Sequence, residues 1–563
     1  MRKILVLLIS AIMIVAVAGC GSNNESNKQP NDNTVGIDQY KDVEVSAEEL
    51  LKNVNARKAI SMAFDKSYIT DEILKNGSMP ADYLVPLNLA SDADGNDFRD
   101  KYPNMNEFNS EEALDYWNTA KEELEFGKVT IQLLTYDTDS SKKISEFIQG
   151  QLEKNLPGLA VKLNQQPFEN KLELAKNGEF DIDLSGWGPD YPDPMTFLDL
   201  YESNGGHNDP KYNNPEYDEN IKRTKSGDLV TDIEARWELL QETEKILLDD
   251  AVIAPVYQRG RSIVAQPYFS GMEKHNFGGD YTFKTADTTK IVDGEKVINL
   301  SDTSDIPSMD TNKATDTVSF QAMANVNEGL YMLGVNDIIE PGVATNYDVS
   351  EDGLTYTFTL REDATWSNGD SIGADDFVYA WRRLGNPDTG AEYAYMLETA
   401  GIKNANDVIT GEKSVEELGV KAIDEYTLEV TLETPVPYFI NMMTFPSFYP
   451  LNEEFVEAQG DKYGTSIETT LYNGPFVLSK WEIGYEFEYA KNPDYYNADS
   501  VKIDRVNFRI IKDVATDVNL YETGEIDRIR LSGEFVEQYM DDPNFFLEGE
   551  TVLFYLQFNI NNR

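Results

Sequence analysis

The sequence predicts an α/β protein with more than one domain, and two observations support this fold class. Runs that alternate apolar and polar residues, as strands do, are interleaved with helical patterns between Val129 and Leu184. This order is typical of strand–helix–strand units with parallel pairing. The chain also has 563 residues, which is enough for several domains and a large core.

The composition excludes several kinds of partner and chemistry. A formal net charge of −52 argues against nucleic acid as a partner, because phosphate binding needs a basic surface. A single cysteine allows no intramolecular disulfide and no cysteine-based zinc site. The sequence has only two histidines, which argues against a histidine-based catalytic triad and against a metal site with several histidine ligands. The sequence therefore predicts no metal and no cofactor.

The amino terminus predicts an exported lipoprotein. A basic start at Met1–Lys3 precedes an apolar stretch, Ile4–Ala18, that is short for a membrane span, and Val17–Cys20 resembles a bacterial lipobox. We expect residues 1–20 to be a signal peptide that is cleaved before Cys20, whose thiol is then acylated. An ordinary signal peptide or a short anchor helix is the alternative. Residues 21–52 are expected to form a disordered tether and an acidic lead-in.

The first half of the chain carries most of the regular patterns. Helices are expected where apolar residues recur at helical spacing, at 46–51, 53–65, 110–123, 142–155, 168–176 and 233–249. Strands are expected where residues alternate or form short apolar runs, at 129–136, 160–164 and 251–258.

The stretch Phe180–Tyr201 organises this half. Phe180, Ile182 and Leu184 alternate with polar residues as in a half-buried strand, and two glycines with a proline then force a turn at 186–189. Asp190 follows between Trp187 and Tyr191. A carboxylate among aromatic rings is costly unless a cation meets it, which suggests a ligand's positive group. The residue pattern alone also fits a turn aspartate that accepts hydrogen bonds from its own backbone.

The second half adds fewer elements. Short strands are expected at 296–300 and 551–559, and Tyr356, Phe358 and Leu360 form one face of a strand that follows an Asp-Gly turn. A helix is expected over Ala374–Arg383 with its cap near Asp375.

Several segments resemble one family. GWGPDYPDPMTFLDLY (186–201) resembles the ligand loop of the oligopeptide-binding lipoproteins of bacterial ABC importers, the family 5 extracellular solute-binding proteins. The segment Pro341–Arg361, the following ATWSNGDSIGADDFVYAWRR, Tyr472–Trp481 and Asn519–Arg528 also match family segments. The resemblance implies a two-lobe periplasmic-binding-protein-like fold of type II with an extra subdomain.

The order of these segments differs from the family order. Relatives run first through the part found here at 290–563 and then through the part at 53–289, so the chain resembles a circular permutant whose old ends are joined near Lys290. The implied domains are a second (family carboxyl-terminal) lobe at 53–255, a crossing segment at 256–289 and a first (family amino-terminal) lobe at 290–563. Because one crossing would be cut, we expect Ala251–Gln258 to be the main covalent link and the hinge to be loose.

The resemblance also implies a function and a ligand site. It implies a monomeric, extracytoplasmic receptor, lipid-anchored to the outer face of a Gram-positive cell membrane, that captures short peptides and delivers them to ABC transporter permease subunits. It is not expected to be an enzyme. Asp190 is expected to pair with the peptide amino terminus. The other expected ligand-binding residues are Gly186, Trp187, Gly188, Tyr191, Phe168, Thr315, Thr317, Tyr395, Tyr555 and Arg259.

Other interpretations remain open at this point. A pheromone receptor would have one dominant peptide, and a binder of nickel chelates or sugars is disfavoured by Asp190. Gly369–Gly373 fits the G-x-S-x-G pattern of serine hydrolases, but no histidine follows Ser371. Asp92–Asp97 resembles a calcium loop without the required glycine and glutamate. Leu184 and Ser185 replace an arginine that well-known relatives carry before the Gly-Trp pair, which leaves peptide length undefined.

Overall fold

The computed structural model describes residues 40–92, 95–102 and 107–560. The predicted signal peptide with Cys20 and most of the predicted tether lie outside the described residues. Within the described ranges, no helix is both long enough and apolar enough to cross a membrane.

The described part of residues 40–252 contains five strands and nine α-helices, and the longer ones agree in kind with the sequence pattern. The strands are β1 (Glu44–Val45), β2 (Met79–Pro80), β3 (Lys128–Tyr136), β4 (Leu159–Gln166) and β5 (Ile182–Trp187). The helices are α1 (Ala47–Lys52), α2 (Val54–Met62), α3 (Lys66–Tyr68), α4 (Ser110–Leu124), α5 (Asp139–Asn155), α6 (Phe168–Lys176), α7 (Met195–Leu198), α8 (Pro215–Lys225) and α9 (Ile233–Asp249).

Residues 253–560 are richer in strands. These are β6 (Ile253–Ala265), β7 (Phe269–Ser270), β8 (Glu273–Lys274), β9 (Tyr281–Thr282), β10 (Asp287–Thr288), β11 (Ile291–Val292), β12 (Glu295–Asp302), β13 (Tyr331–Leu333), β14 (Ile339–Pro341), β15 (Ala344–Val349), β16 (Thr355–Leu360), β17 (Val420–Asp424), β18 (Thr427–Thr431), β19 (Phe476–Glu482), β20 (Glu486–Lys491), β21 (Arg505–Ile510), β22 (Arg528–Leu531) and β23 (Phe545–Phe558). The helices are α10 (Thr317–Val326), α11 (Ala374–Gly385), α12 (Tyr395–Thr399), α13 (Ala405–Ile409), α14 (Phe439–Met442), α15 (Glu453–Gln459), α16 (Val514–Glu522) and α17 (Gly533–Tyr539).

The largest sheet has eight strands and confirms the predicted parallel strand–helix–strand units. Strand β3 pairs in parallel with β4 and with β5, and helices α5 and α6 connect these strands in sequence. Strand β23 then pairs antiparallel with β5 on one side and with β6 on the other. Two further sheets, β11-β12-β21-β20-β19 and β15-β16-β18-β17, lie in the second half of the chain.

Two long strands join the halves of the molecule. The first half of β6 and the last half of β23 pair with each other beside β5, and this part, with residues 40–252, is called lobe A. The second half of β6 and the first half of β23 pair beside β22, and this part, with residues 266–544, is called lobe B. The pairing is interrupted between Gly549 and Leu553, where the two strands cross from one lobe to the other.

The expectation of one main crossing is therefore wrong. Both β6 and β23 are continuous through the crossing, and β23 extends from lobe B into lobe A rather than lying wholly in the first lobe. The resemblance implied a cut crossing, because the family chain passes between the lobes where the new chain ends were expected. Since both strands cross without a break, the premise of a loosened hinge does not hold.

Two local features lie where the resemblance places the old and the new chain ends. Strands β11 and β12 form a hairpin through Asp293 and Gly294, whose positive φ angles of 54° and 96° suit a tight Asp-Gly turn. At the other end, the backbone N–H of Phe558 donates to Val252 O at 3.2 Å, and Arg57 Nε donates to Ala251 O at 3.0 Å. The start of α2 and the end of β23 therefore meet on the same short segment.

Candidate functional site

A cavity of about 730 Å³ lies between the lobes. Lobe A contributes the end of β5, the first turn of α5 and one side of α6, and lobe B contributes the segment that leads into α10. The crossing strands β6 and β23 form part of the wall. The volume falls within the usual range for small-molecule sites.

Strand β5 presents an unpaired edge at this cavity. It pairs with β23 along its whole length, from Ile182 to Trp187, but β3 reaches only Ile182 and Asp183 on the other side. Among the described strands, none pairs with that side of Leu184–Trp187. Ser185 to Gly188 line the cavity, so this edge is available for main-chain hydrogen bonds to an extended ligand.

Asp190 lies at the end of this edge and lacks a cation. Its side chain lines the cavity although the residue is only 4% exposed. Tyr393 Oη donates to Oδ1 at 3.4 Å, while Oδ2 has no hydrogen-bond partner among the residues that the structure describes. Burial and the neighbouring Asp199 raise the pKa of Asp190 well above its usual value, although the Tyr393 and Tyr395 hydroxyls favour the carboxylate. An uncompensated buried carboxylate is a strong candidate for binding a ligand cation.

The alternative role for Asp190, a turn aspartate that accepts a hydrogen bond from its own loop backbone, is filled by the neighbouring Asp193. Asp193 Oδ1 accepts from the Met195 N–H at 2.9 Å and is also held by Arg236. The Asp190 backbone N–H donates to Thr196 Oγ1 at 2.9 Å, which fixes the loop and leaves the carboxylate to face the cavity.

A second buried carboxylate lies behind Asp190. Burial is the largest cause that raises the pKa of Asp199 to about 7, and Lys225 opposes this shift. Lys225 Nζ lies 3.8 Å from Asp199, 3.3 Å from Glu202 and 4.0 Å from Glu398. One buried lysine thus serves three carboxylates.

Aromatic rings surround the ligand end of the cavity. His207 packs against Trp187 and Tyr393 with ring centroids 5.0 and 4.9 Å apart, and all three line the cavity. Burial lowers the pKa of His207 to about 4, so its ring is neutral at physiological pH. Phe168 also lines the cavity and stacks on Tyr136 at 5.8 Å. Gly186 packs closely against β23, since an added Cβ would lie 2.9 Å from the Phe554 ring.

The remaining predicted residues divide into two groups. Thr315, Thr317, Tyr555 and Arg259 line the cavity. Thr315 and Thr317 do not form a strand, because Thr317 is the first residue of α10 and Asp316 caps that helix. The Arg259 guanidinium is engaged at the crossing, where it pairs with Glu550 and lies 3.3 Å from Asp280.

Tyr191 and Tyr395 are not among the residues that line the cavity, which corrects two predictions. Tyr191 is fully buried and stacks on Tyr438 at 5.1 Å, because the loop turns its side chain into the core. Tyr395 packs behind the site, where Lys225 Nζ lies 5.5 Å from its ring centroid. It influences Asp190 but does not face the ligand space.

Sequence reasoning missed several site residues. Tyr393 stands two positions before the predicted Tyr395, lines the cavity and donates to Asp190. Asp199 lies within the recognised 186–201 loop but was assigned no role, and His207 and Lys225 carry no recognisable motif. Lys171 was missed as well: it is fully buried beside the cavity, and its Nζ donates to Asp183 at 2.8 Å and Ser185 at 3.2 Å.

The structure gives the alternative chemistries no support. Ser371 is exposed and lies outside the cavity, in an isolated bridge with Thr365 rather than after a strand, so the hydrolase geometry is missing. In the Asp92–Asp97 loop, Asp92 Oδ1 accepts from the Asn96 N–H at 2.9 Å, as in a turn, while residues 93 and 94 lie outside the described residues. Among the described residues, no group of three or more acidic, histidine or cysteine side chains could hold a metal ion.

The fold and the site together define a solute-binding protein with two lobes around a ligand cavity. The chain matches the family model for bacterial extracellular solute-binding proteins, family 5 Middle, over residues 22–209 and 339–563, which is more than half of its length. The chain therefore belongs to this family.

Curated relatives are similar over part of the chain. The dipeptide-binding protein of Lactococcus lactis is 40% identical over 242 residues, which is 42% of this chain and 44% of the relative. The dipeptide-binding protein DppE of Bacillus subtilis is 35% identical over 271 residues, covering 48% of this chain and 49% of the relative. The periplasmic oligopeptide-binding protein OppA of Salmonella typhimurium is 38% identical over 224 residues, covering 40% and 41%. The chain spans half or less of the length of each of these curated relatives.

Solved structures show the same partial likeness. The substrate-binding domain of an oligopeptide ABC transporter from Bacillus anthracis is 50% identical and covers 45% of this chain and 49% of its own, with a TM-score of 0.44. Listeria monocytogenes OppA bound to peptide is 42% identical and covers 44% and 49%, with a TM-score of 0.43.

Proposed function

We propose that this protein is the extracytoplasmic substrate-binding component of an ABC importer, which captures short peptides between its lobes and delivers them to a permease. The observation that carries the proposal is the Asp190 carboxylate, which lines the cavity, is 4% exposed and has no partner for Oδ2. A peptide α-ammonium is a cation of the right size and charge to meet it. Relatives named as dipeptide- and oligopeptide-binding proteins support the same ligand class.

The unpaired edge of β5 supplies the second requirement of the proposal. A peptide whose amino terminus meets Asp190 can place its main chain along Ser185–Gly188, where backbone N–H and C=O groups need no particular side chain. The space beside this edge is lined by both polar and aromatic groups. Such a lining admits side chains of different kinds through water-mediated contacts.

We also propose a lipid anchor at Cys20 on the outer face of a Gram-positive cell membrane, a monomeric state and no catalytic activity. The lipobox-like Val17–Cys20 and membership of an extracellular solute-binding family support the location. The exposed position of Ser371, away from the cavity, supports binding without hydrolysis.

The chain order is proposed to be a circular permutation of the family order. The contacts of Phe558 and Arg57 with the Ala251–Val252 segment support it, since they bring residues 53–57 and 558–560 close together. The tight Asp293–Gly294 turn supports a compact junction near Lys290, whose Nζ bonds Asp527 at 2.7 Å.

The experiment that tests the function is mass spectrometry of ligands released by denaturing the purified protein. We expect a mixed set of short peptides with unmodified amino termini. One dominant peptide would favour a signalling receptor instead. Release of a non-peptide ligand, or binding of N-acetylated peptides as tight as that of the matching unmodified ones, would overturn the proposal.

A further inference from the structure

Four carboxylates and one lysine meet behind the ligand end of the cavity. Asp190, Asp199 and Glu202 come from lobe A, Glu398 comes from lobe B, and Lys225 on α8 lies among them. These five residues are called the acidic cluster. Their formal charges leave an excess of negative charge in a region where Asp190, Asp199 and Lys225 are each at most 4% exposed.

Lys225 already interacts with three carboxylates of the acidic cluster. Lys225 Nζ lies within 4.0 Å of Asp199, Glu202 and Glu398, but no ion pair joins it to Asp190. Asp190 Oδ2 and Asp199 Oδ1 are both buried without hydrogen-bond partners in the described part of the chain. The cluster therefore lacks one positive charge on the side that faces the cavity.

Lobe B completes the cluster when the lobes are together. Tyr393 Oη donates to Asp190, and Thr399 Oγ1 donates to Asp199 at 3.3 Å. Glu398 lies beside Lys225, and the Tyr395 ring lies beneath its ammonium group. Since Asp190, Asp199 and Lys225 belong to lobe A, separation of the lobes would remove these neighbours from lobe B and uncover the side of the cluster that they cover.

Every charged or titratable group that faces the two carboxylates can be named. Asp190 faces Asp199 and the hydroxyls of Tyr393 and Tyr395, with the neutral His207 ring packed on Tyr393. Asp199 faces Lys225, Glu202 and Glu398, and the buried hydroxyls of Tyr191, Tyr217, Tyr395 and Tyr438 also lie close enough to interact with its charge. No arginine takes part in the cluster, because Arg236 is engaged by Asp193 at 2.8 Å.

We propose that the acidic cluster couples closure of the lobes to the charge of the ligand, so that the empty protein takes up a proton on Asp190 or Asp199 when it closes, whereas a ligand ammonium replaces that proton. The inference rests on the proposed function for the identity of the ligand. The balance is simple: one carboxylate and one proton form one carboxylic acid, and binding of an ammonium group releases that proton to solvent. A neutral ligand leaves the requirement for the proton in place.

The direction of the pH dependence follows from burial. With the lobes together, burial raises the pKa of Asp190 well above its usual value and that of Asp199 to about 7. The empty closed state is therefore favoured at low pH, below the ordinary carboxyl pKa. It loses this advantage as the pH rises through the raised values.

The test measures closure of the full-length protein without any peptide. Spin labels at Glu146→Cys on α5 and Met540→Cys next to α17 report the gap between lobes, because these helices approach each other at the Lys143–Glu534 pair, 2.9 Å long. Both positions are exposed, and Cys20→Ser removes the one native cysteine. We expect the fraction of closed molecules, measured by double electron–electron resonance, to fall at least tenfold between about pH 4.5 and pH 8.

Variants separate the cluster from general effects of pH. Asp190→Asn with Asp199→Asn should abolish most of this pH dependence and keep the empty protein closed at pH 8. Glu173→Gln removes an exposed carboxylate from the same cavity and should behave as wild type. If the double variant is unstable, the single Asp190→Asn variant should show the same change at smaller size.

The proposal is overturned if the distance distribution of the wild-type protein does not change with pH, or if the Asp190→Asn variants keep the wild-type pH dependence. These results are independent of the function test, since no peptide is present. A preparation that releases no peptide but shows the expected closure would count against the proposed ligand and leave the charge coupling intact.

Discussion

At the scale of the residue, the site depends on side chains whose polar atoms are unsatisfied in the protein alone. Asp190 was found from the sequence because it stands in a recognisable loop, and its burial beside Tyr393 gives that position a physical meaning. Tyr191, the next residue, was assigned to the same site and lies in the core. The direction of a side chain in an irregular loop depends on distant packing, which local sequence does not encode.

Removal of the Asp190 charge should weaken binding of peptides that have a free amino terminus. Asp190→Asn is expected to cost about 2–5 kcal/mol in calorimetric titration with a short unmodified peptide, because a buried ion pair is lost. Asp139→Asn, at the cavity rim, is the control and should have a small effect.

A comparison of two ligands tests whether the charge of the peptide amino terminus is the reason for the loss of affinity. An N-acetylated form of the peptide should bind wild type weakly and should lose little further affinity on Asp190→Asn. Equal losses for both forms would contradict an ammonium contact and would indicate a general distortion of the loop.

His207 should make the protein less stable at acidic pH. Its pKa is depressed to about 4 by burial, below the ordinary value of 6.5, so its contribution is present above pH 6.5 and is lost as the pH falls through 4. We expect this loss to be about 1–3 kcal/mol in the free energy of unfolding.

The difference between wild type and His207→Gln isolates this contribution from other titrating groups. Thermal unfolding of both proteins at several values between pH 7 and pH 4 should show the gap between them shrinking or reversing as the pH falls. A constant gap would mean that His207 does not titrate on unfolding in this range.

At the scale of the element, periodic helices were predictable and the crossing strand was not. Helices α6 and α9 begin and end at the predicted residues, because their apolar faces recur at regular spacing. Strand β23 begins six residues before its predicted start. Its first half carries exposed residues such as Leu547, 57% exposed, and pairs only with β6, so its pattern lacks the alternation of a half-buried strand.

Two glycines that pair across the crossing should respond differently to the same substitution. Gly260 on β6 and Gly549 on β23 are register partners. A Cβ at Gly260 would lie 2.4 Å from the Gly77 carbonyl carbon, whereas a Cβ at Gly549 would meet no atom within 4 Å. Gly260→Ala is therefore expected to reduce the free energy of unfolding by about 1–3 kcal/mol.

Gly549→Ala is the matched control and should be neutral or stabilise the protein by up to about 1 kcal/mol. Urea unfolding of the two variants measures the contrast. Similar losses in both would indicate that the crossing tolerates no side chain for a reason other than the contact with Gly77.

At the scale of the whole molecule, the likeness of the segments predicted two lobes, whereas their connection had to be seen. Pairing of β6 with β23 brings together residues almost 300 positions apart, as in the Gly260–Gly549 pair. No local pattern determines such pairing, and the expected permutation of the chain order led to a wrong expectation for the hinge. Both strands pass through the crossing without a break.

A chain returned to the family order should therefore fold and bind as this one does. In that variant, residue 560 is joined to residue 40 by a flexible linker, which keeps β1 and α1, and the chain is opened between Asp293 and Gly294. The contacts of Phe558 and Arg57 with the Ala251–Val252 segment indicate that both joined ends belong to the same lobe. We expect peptide affinity within about twofold of the original, since ~0.4 kcal/mol corresponds to a factor of two.

Calorimetric titration of both proteins with the same peptide measures this comparison. A control that is only opened at Asp293–Gly294, without the new join, reports the effect of the cut. Much tighter binding by the reordered chain would restore the idea of a weakened hinge and contradict the importance given to the continuous β23.

The two hydrogen-bonded strands at the crossing also restrict how the lobes can move. A paired ribbon resists shear, because sliding one strand along the other would break the register between β6 and β23 in both lobes at once. It yields more readily to twist and to bending out of its plane, particularly where pairing is interrupted between Gly549 and Leu553. The relative motion of the lobes is thereby reduced to a rotation with few degrees of freedom. A ligand that blocks this rotation holds the two lobes in one arrangement.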